Sequence, residues 1–390
     1  MTRAILRKHQ NQKVSKILQD FTGLERLPKV LEYPVERKMN DTTIQCDVFA
    51  KTLEQIYESP DESLRADYEK IKVIPHFVIS EIQYALKRMR NSRCADMSNV
   101  VVEMIKHAGL EFQSILLGHF NEIISTGTVP TNWHVTIFSM LPKSGDLSCA
   151  SNWRPIAILP ILYKIFAKML YYRLYPILDA HQPDDQFGFR KNKRIEDVFA
   201  ILENVIGKTD EWNIPVWMIS LDLRKAFDTI KFLPLFAALR RQGVPEAYVQ
   251  LLSALYEKQI GTVNGSSPFN ILRGVKQGDV LSSMLFNASL EEAFREWRCR
   301  LTTEGFLLSI NASRLTNVRY ADDIMLFGKT LDELSTMVEL LVETFGTIGL
   351  ELNASKSKIL TNDNIEYHFL DVADSMVEIV QPQPSHKYLG

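Results

Sequence analysis

The chain has 390 residues, 46% hydrophobic and 24% charged, with a net charge of −2. This is an ordinary globular balance, and the length exceeds what one core usually serves, so two or three lobes are expected. The longest apolar stretch, IAILPILYKIF, is short for a membrane span and contains Pro160 and Lys164, and MTRAILRKHQNQK lacks the apolar core of a secretory signal.

Residues 1 to about 75 are polar and weakly patterned, punctuated by LPK, EYPV and ESPDES. They read as an extension or linker with some helix in DVFAKTLEQIYES. Ile79, Ile82, Leu86 and Met89 recur at spacings of three and four and predict a helix. FQSILLGHFNEIIS predicts another, closed by Thr126-Gly127 and Pro130. HVTIFSMLPKSGD is strand-like and ends in a Lys-Ser-Gly turn, and a long helical run follows from Pro160 to Leu178. VWMISLDL, at 216–223, is an apolar strand with one carboxylate, Asp222, near its end. Residues 231–258 look helical, FNILRGV (269–275) is a strand entering QGD, and 281–300 predict an amphipathic helix. Val318-Arg319-Tyr320 and Ile324-Met325-Leu326-Phe327 flank Ala321-Asp322-Asp323 as the strands of a hairpin. Leu331, Leu334, Val338, Leu341, Val342 and Phe345 then form one helical stripe. Strands and helices interleave without the rhythm of βαβ units, which predicts an α+β fold.

Four cysteines, at 46, 94, 149 and 299, show no metal-like spacing and read as the reduced thiols of an intracellular protein, nuclear or cytoplasmic. Charge is spread unevenly. From Asp322 onward 12 acidic residues face four basic ones, a segment of −8, so residues 1–321 carry +6. KRMRNSR (87–93) and RKNKR (190–194) contain no acid. Such runs are either solvated faces or phosphate contacts, here at even weight.

Two adjacent aspartates repel, and a turn needs only one. Asp322 and Asp323, placed between two strands, therefore point to a cation site, against the alternative of a solvated hairpin tip. A second pair, Asp184-Asp185 in HQPDDQFG, follows a proline outside any apolar run and reads as a solvated loop. Asp222 ends a buried strand, where a charge is costly unless paired or bound to metal. Capping the helix that starts near Arg224 is its alternative role. If Asp222 and Asp322 meet across antiparallel strands, they form an oxygen-rich site suited to Mg²⁺. Two such ions clamp the attacking and leaving oxygens of an in-line displacement.

Seven segments in order carry a resemblance: NWRPIAILPILYKIFAKML, QFGFRK, SLDLRKAFDTI, RGVKQGDVLSSMLF, RYADDIMLFG, GLELNASKSKIL and HKYLG. Over about residues 76–390 the chain resembles the reverse transcriptase domain of non-LTR (LINE-type) retrotransposons. The resemblance implies a right-hand polymerase: an N-terminal extension at 1–75, fingers at 76–215 and a palm at 216–390, with 231–275 partly returning to the fingers. It implies an antiparallel palm sheet with packed helices. No thumb is seen after Gly390 and no endonuclease-like segment before the domain, and those parts would then be expected on a longer parent chain. Asp222, Asp322 and Asp323 would be catalytic and metal-binding, with the Leu223 carbonyl as a further ligand of two Mg²⁺ ions, Mn²⁺ being a substitute. Phe227 would lie beneath the nucleotide sugar and exclude a 2′-hydroxyl. Lys143 and Arg154 would hold the triphosphate, Gln277 and Gly278 would lie beside nucleotide and template, and Lys356, with Lys358 as the alternative, would protonate pyrophosphate. Where the family has a Gly-Pro-Asp-Gly turn, this chain has DMSNV, with Ser98 and Asn99 at the Asp and Gly positions. The implied activity is RNA-directed DNA synthesis from dNTPs on a DNA primer. The alternatives are a decayed or domesticated fragment that binds nucleic acid without catalysis, and RNA synthesis on RNA, which Phe227 argues against.

Overall fold

The computed structural model describes residues 46–59, 74–143, 146–263, 266–306, 314–363, 369–372 and 375–380. The HKYLG segment at 386–390 lies outside them. The chain divides into two compact units, Met1–Pro176 with Gly243–Ser282, and Ile177–Gln242 with Ser283–Gly390.

In chain order, α1 (Cys46–Tyr57), α2 (Ile79–Arg88), α3 (Val102–His107) and α4 (Gly109–Thr126) precede β1 (Val135–Pro142), β2 (Trp153–Ile158) and α5 (Ile161–Asp179). Then come α6 (Ile195–Glu211), β3 (Trp217–Leu221), α7 (Ala226–Thr229) and α8 (Phe232–Arg241). The chain continues with α9 (Glu246–Tyr256), β4 (Gln259–Thr262), β5 (Phe269–Ile271) and α10 (Ser282–Arg300). It ends with β6 (Asn317–Tyr320), β7 (Asp323–Gly328), α11 (Leu331–Ile348), β8 (Lys358–Thr361), β9 (Phe369–Val372) and β10 (Ser375–Val380).

The first unit is built on a four-stranded sheet in the order β2-β1-β4-β5. β1 pairs antiparallel with β2 and parallel with β4. Its helices stop where the sequence says they should: Gly127 takes φ 69° after α4 and donates its N–H to the Ile123 carbonyl at 2.8 Å. The DMSNV segment keeps its turn by a different route. Asn99 adopts φ 55°, a conformation Asn tolerates better than most residues. Buried Asp96 then accepts from the amides of Ser98 and Val100, both at 2.9 Å, and from the first amide of α5, Ile161, at 2.7 Å. A carboxylate at that helix N-terminus satisfies a donor with no partner inside the helix.

The second unit holds a six-stranded sheet in the order β6-β7-β3-β8-β10-β9. Its pairs are antiparallel except β8 with β10, which run parallel, so the expected all-antiparallel sheet is corrected at that edge. The apolar stripe of α6, Val198, Leu202 and Val205, packs with Met218, Val318, Met325 and Phe327 of the strands. Compactness thus groups α6 with the sheet, whereas the sequence divides the chain after 215. α11 is capped by Thr330, whose hydroxyl accepts from the Glu333 amide at 3.2 Å, and it ends at Gly349 with φ 86°.

Three sequence expectations are corrected. Residues 231–258 form two helices, because Gln242-Gly243-Val244-Pro245 intervenes with Gly243 at φ 78°. The helix at 282–300 is not simply amphipathic: beside its apolar residues, Asn287, Ser289 and Glu291 are buried too. Asp184-Asp185 is not a solvated loop. Asp184 is exposed and pairs with Lys193, but Asp185 bonds Arg298 at 3.2 Å and the fully buried Arg319 at 3.1 Å. Arg319 also reaches Glu291 at 2.7 Å and lies 4.0 Å over the Phe294 ring. Burial acts to lower its pKa, and the charges of Asp185 and Glu291 hold it above the usual arginine range. The pattern of strand and loop gave no sign that this acid had a buried partner.

Candidate active site

In the second unit, β3 lies between β7 and β8, and its last pairing with β7 is Leu221 opposite Ile324. The next residue on each strand is an aspartate, Asp222 on one and Asp323 on the other. Asp323 is also the first residue of β7, paired with Tyr320 across the two-residue connection Ala321-Asp322. The hairpin expected from the sequence is present, and with it three carboxylates are brought to one end of two neighbouring strands.

Asp222 is held from the other side by the turn before β8. Its amide donates to Ser357 Oγ at 3.1 Å, its carbonyl accepts from the Asn353 amide at 2.8 Å, and its Oδ2 accepts from Asn353 Nδ2 at 2.7 Å. Beyond it, Leu223 forms a bridge with Leu352, flanked by the bond from Arg224 N–H to the Glu351 carbonyl at 2.9 Å. That ladder uses the Asp222 carbonyl and the Arg224 amide and leaves the Leu223 carbonyl outside it.

Asp323 carries the electrostatic signature of the site. Its carboxyl is pushed up to about 6, first by desolvation and then by the charges of Asp322 and Asp222. The residue as a whole is exposed, so the two neighbouring charges are the part of this shift that a bound cation reverses. Among the described residues, no three His, Cys, Asp or Glu side chains converge closely enough to hold an ion unaided. The donor set still fits a divalent metal: hard carboxylate oxygens and a backbone carbonyl outside the ladder, with substrate phosphates completing the shell, which Mg²⁺ takes in preference to a closed protein cage.

Phe227 sits in the same unit, half-buried, stacked on Phe286 with ring centroids 4.4 Å apart and rings 8° from parallel. The edge of Phe189 meets it at 5.9 Å. The structure also separates the two candidate lysines. Lys358 lies in β8 and pairs with Glu378 on β10. Lys356 is exposed on the turn whose Asn353 and Ser357 grip Asp222.

The first unit gathers the other four residues. Leu141 pairs with Arg154 across β1 and β2, and the Lys143 amide donates to the Asn152 carbonyl at 2.8 Å, so Lys143 and Arg154 share one hairpin. Both are exposed. The Gln277 carbonyl accepts from the Ala157 amide of β2 at 2.8 Å. Gly278 follows at φ 107°, and a Cβ there would meet the Ala157 carbonyl at 3.2 Å, so both conformation and space favour glycine. Beneath this loop, buried Asp279 accepts from the Tyr163 hydroxyl at 2.6 Å, and buried Lys276 has its pKa lowered to about 8 by desolvation.

Sequence reasoning missed Asn353 and Ser357, although both sit in the NASKSK segment read for its lysines. Their signal was spacing within a turn, which has no meaning until the partner strand is known. It also gave the basic run at 190–194 too much freedom. Arg190 is spent on Asp179 at 2.8 Å and on the carbonyls of Pro183 and Gln186, and Lys193 pairs with Asp184.

Comparison with known proteins adds a family. Residues 141–390 match the family described as "Reverse transcriptase (RNA-dependent DNA polymerase)". A Popillia japonica relative, "Retrovirus-related Pol polyprotein from type-1 retrotransposable element R2", is 30% identical over 277 residues, covering 68% of this chain and 38% of its own length. "Transposon TX1 uncharacterized 149 kDa protein" of Xenopus laevis is 27% identical over 321 residues, covering 80% of this chain and 24% of its own. The chain thus spans well under half of either relative. Among solved structures, apo telomerase from Candida Tropicalis, truncated from the C-terminal domain, aligns over 68% of this chain and 59% of that one, at 13% identity and a TM-score of 0.45.

Proposed function

The chain belongs to the reverse transcriptase (RNA-dependent DNA polymerase) family, among those of non-LTR retrotransposons, and on that premise we propose that it extends a DNA primer with dNTPs on an RNA template. Asp222 and Asp322, with the Leu223 carbonyl and Asp323 adjacent, would hold two Mg²⁺ ions, or Mn²⁺ in their place. When bound, those ions supply charge neutralisation for the attacking 3′-oxygen and the leaving pyrophosphate. Arg154 engages the triphosphate through its planar guanidinium and Lys143 as a point charge. Gln277 and Gly278 offer backbone against the incoming nucleotide, and Phe227 supports its sugar. Lys356 delivers a proton to the pyrophosphate. The reading makes the first unit the fingers and the second the palm. Its partners are RNA template, DNA primer and dNTPs, and free exposed thiols suit a cytoplasmic or nuclear setting. Among the described residues no helix is long and apolar enough to cross a membrane.

The observation that carries this reading is the coupling of Asp323 to Asp322 and Asp222 at one sheet end. Like charges assembled there, against their own repulsion, are what a divalent ion and a triphosphate require. Primer extension tests it. Asp222→Asn and Asp322→Asn are expected to lower dNTP incorporation by roughly a hundredfold or more while leaving the circular dichroism spectrum unchanged. Arg154→Ala is expected to act instead on the KM for dNTP. Extension within about tenfold of the unmodified chain in both aspartate variants would remove the metal assignment.

A further inference from the structure

Ala321, the residue before Asp322, has φ 59°. A side chain rarely takes this conformation, because Cβ crowds the backbone, so something must hold the residue there. The surroundings show what does. Gln186 is completely buried, and its Oε1 accepts from the Ala321 amide and from the Gly188 amide, both at 2.9 Å. Its Nε2 lies 3.5 Å from the Ala321 carbonyl, so one side chain spans both polar groups of the strained residue. Gly188 comes so close that an added Cβ would lie 2.2 Å from the Ala321 nitrogen. The segment is itself fixed. The Arg319 amide donates to the Asp185 carbonyl and the Phe187 amide to the Arg319 carbonyl, each at 2.8 Å, which runs the chain alongside β6. Asn287 Nδ2 donates to the Gly188 carbonyl at 2.9 Å.

We propose that Gln186 is a positioning residue that holds the Ala321-Asp322 turn so that the Asp322 carboxylate stands at the end of β3 and β7. The proposal rests on the reading of Asp322 as a metal ligand. It gives the QFG segment a task beside the carboxylates. Gln186 touches no reacting atom. It acts through the peptide that precedes the ligand, and without it the turn loses the side chain that spans both polar groups of Ala321 and relaxes toward negative φ, carrying Asp322 with it.

The experiment replaces Gln186 with methionine, which has similar length and volume but neither strong acceptor nor donor, and then adds Ala321→Gly, because glycine adopts positive φ without steric cost. Three quantities are read on the full chain: Mn²⁺ affinity in the presence of dNTP by electron paramagnetic resonance, amide hydrogen exchange of the metal-free protein at Gly188 and Ala321, and kcat and KM for dNTP. Gln186→Met is expected to weaken Mn²⁺ binding by about tenfold or more, as loss of a supporting bond typically does. It should speed exchange at both amides and lower kcat, with KM changed by no more than about twofold. Ala321→Gly in that background should return Mn²⁺ affinity to within about threefold of the unmodified chain, while the Gly188 amide stays fast. A purely structural role predicts no such rescue. Unchanged Mn²⁺ affinity in Gln186→Met, or no recovery in the double variant, overturns the proposal. If Gln186→Met does not fold, the double variant must recover both fold and affinity, and its failure is equally decisive. If the unmodified chain extends no primer, the polymerase reading fails by itself, and the Mn²⁺ and exchange results still judge Gln186.

Discussion

Phe227 is the residue whose environment separates two roles. A core phenylalanine would be enclosed, whereas this ring is half-buried and stacks on Phe286 at 4.4 Å. On the proposed role beneath the nucleotide sugar, Phe227→Val is expected to raise ribonucleotide incorporation relative to deoxynucleotide by roughly tenfold or more on one template, from the space vacated for a 2′-hydroxyl. An unchanged ratio with activity retained would return Phe227 to a packing role. His134 gives a pH prediction in the first unit. Its pKa is lowered from 6.5 to about 4, first by burial and then by the charge of Lys276, against a bond with Glu257 that raises it. The unfolded chain takes up this proton below about 6.5, while the folded one refuses it until about 4. Stability from this group is therefore present above pH 6.5 and is lost as pH falls toward 4. Replacing His134 with Gln should flatten the fall in melting temperature over that window, and parallel curves for the two proteins would show that His134 titrates normally.

Among the elements, β6 and the segment before α6 are joined by charge. Arg319 is buried on the strand between Asp185 and Glu291, and Arg298 of α10 closes the network. Removing one member of a buried ion network leaves its partners short of a counter-charge, at a typical cost of about 3 kcal/mol, while an exposed pair contributes less than about 1 kcal/mol. Arg319→Met is accordingly expected to lower urea stability by about 3 kcal/mol, and Lys193→Ala, which breaks the exposed pair with Asp184, by under about 1 kcal/mol. Equal losses in the two variants would mean that burial does not set the strength of this network. The same network lies next to the QFG segment, since Asp185 directly precedes Gln186.

For the molecule as a whole, the question is where the +6 of residues 1–321 is available to phosphates. Arg190 and Lys193 are each paired with an acid of the chain itself, whereas Lys87, Arg90 and Arg93 at the end of α2 and beyond are exposed. RNA affinity should therefore depend on the second set. Converting Lys87, Arg90 and Arg93 to Gln is expected to weaken binding of single-stranded RNA and to reduce the slope of log affinity against log salt by about two, since each neutralised phosphate contributes about 0.7. Lys193→Gln should leave that slope unchanged. A triple variant with an unaltered slope would mark 87–93 as a solvated face.

The sequence by itself determined most of the elements and the family. Apolar spacing placed the helix at 79–88, alternation and turn residues placed the hairpin around Ala321-Asp322-Asp323, and the order of seven motifs identified the family. These are local properties, written in neighbouring residues. Tertiary structure alone decided that one of the two Asp-Asp pairs contains a structural anchor, Asp185. Asp185 and Asp322 are both acids in loops, and only the position of Arg319, 134 residues along the chain from Asp185, tells them apart. Likewise Asn353 and Ser357 gain meaning only when β8 is laid beside β3. Gln186 gains its own only when its segment meets Ala321. Hydrogen bonds and ion pairs between distant segments leave no periodicity in either one. Each partner is an unremarkable polar residue until the fold brings the two together.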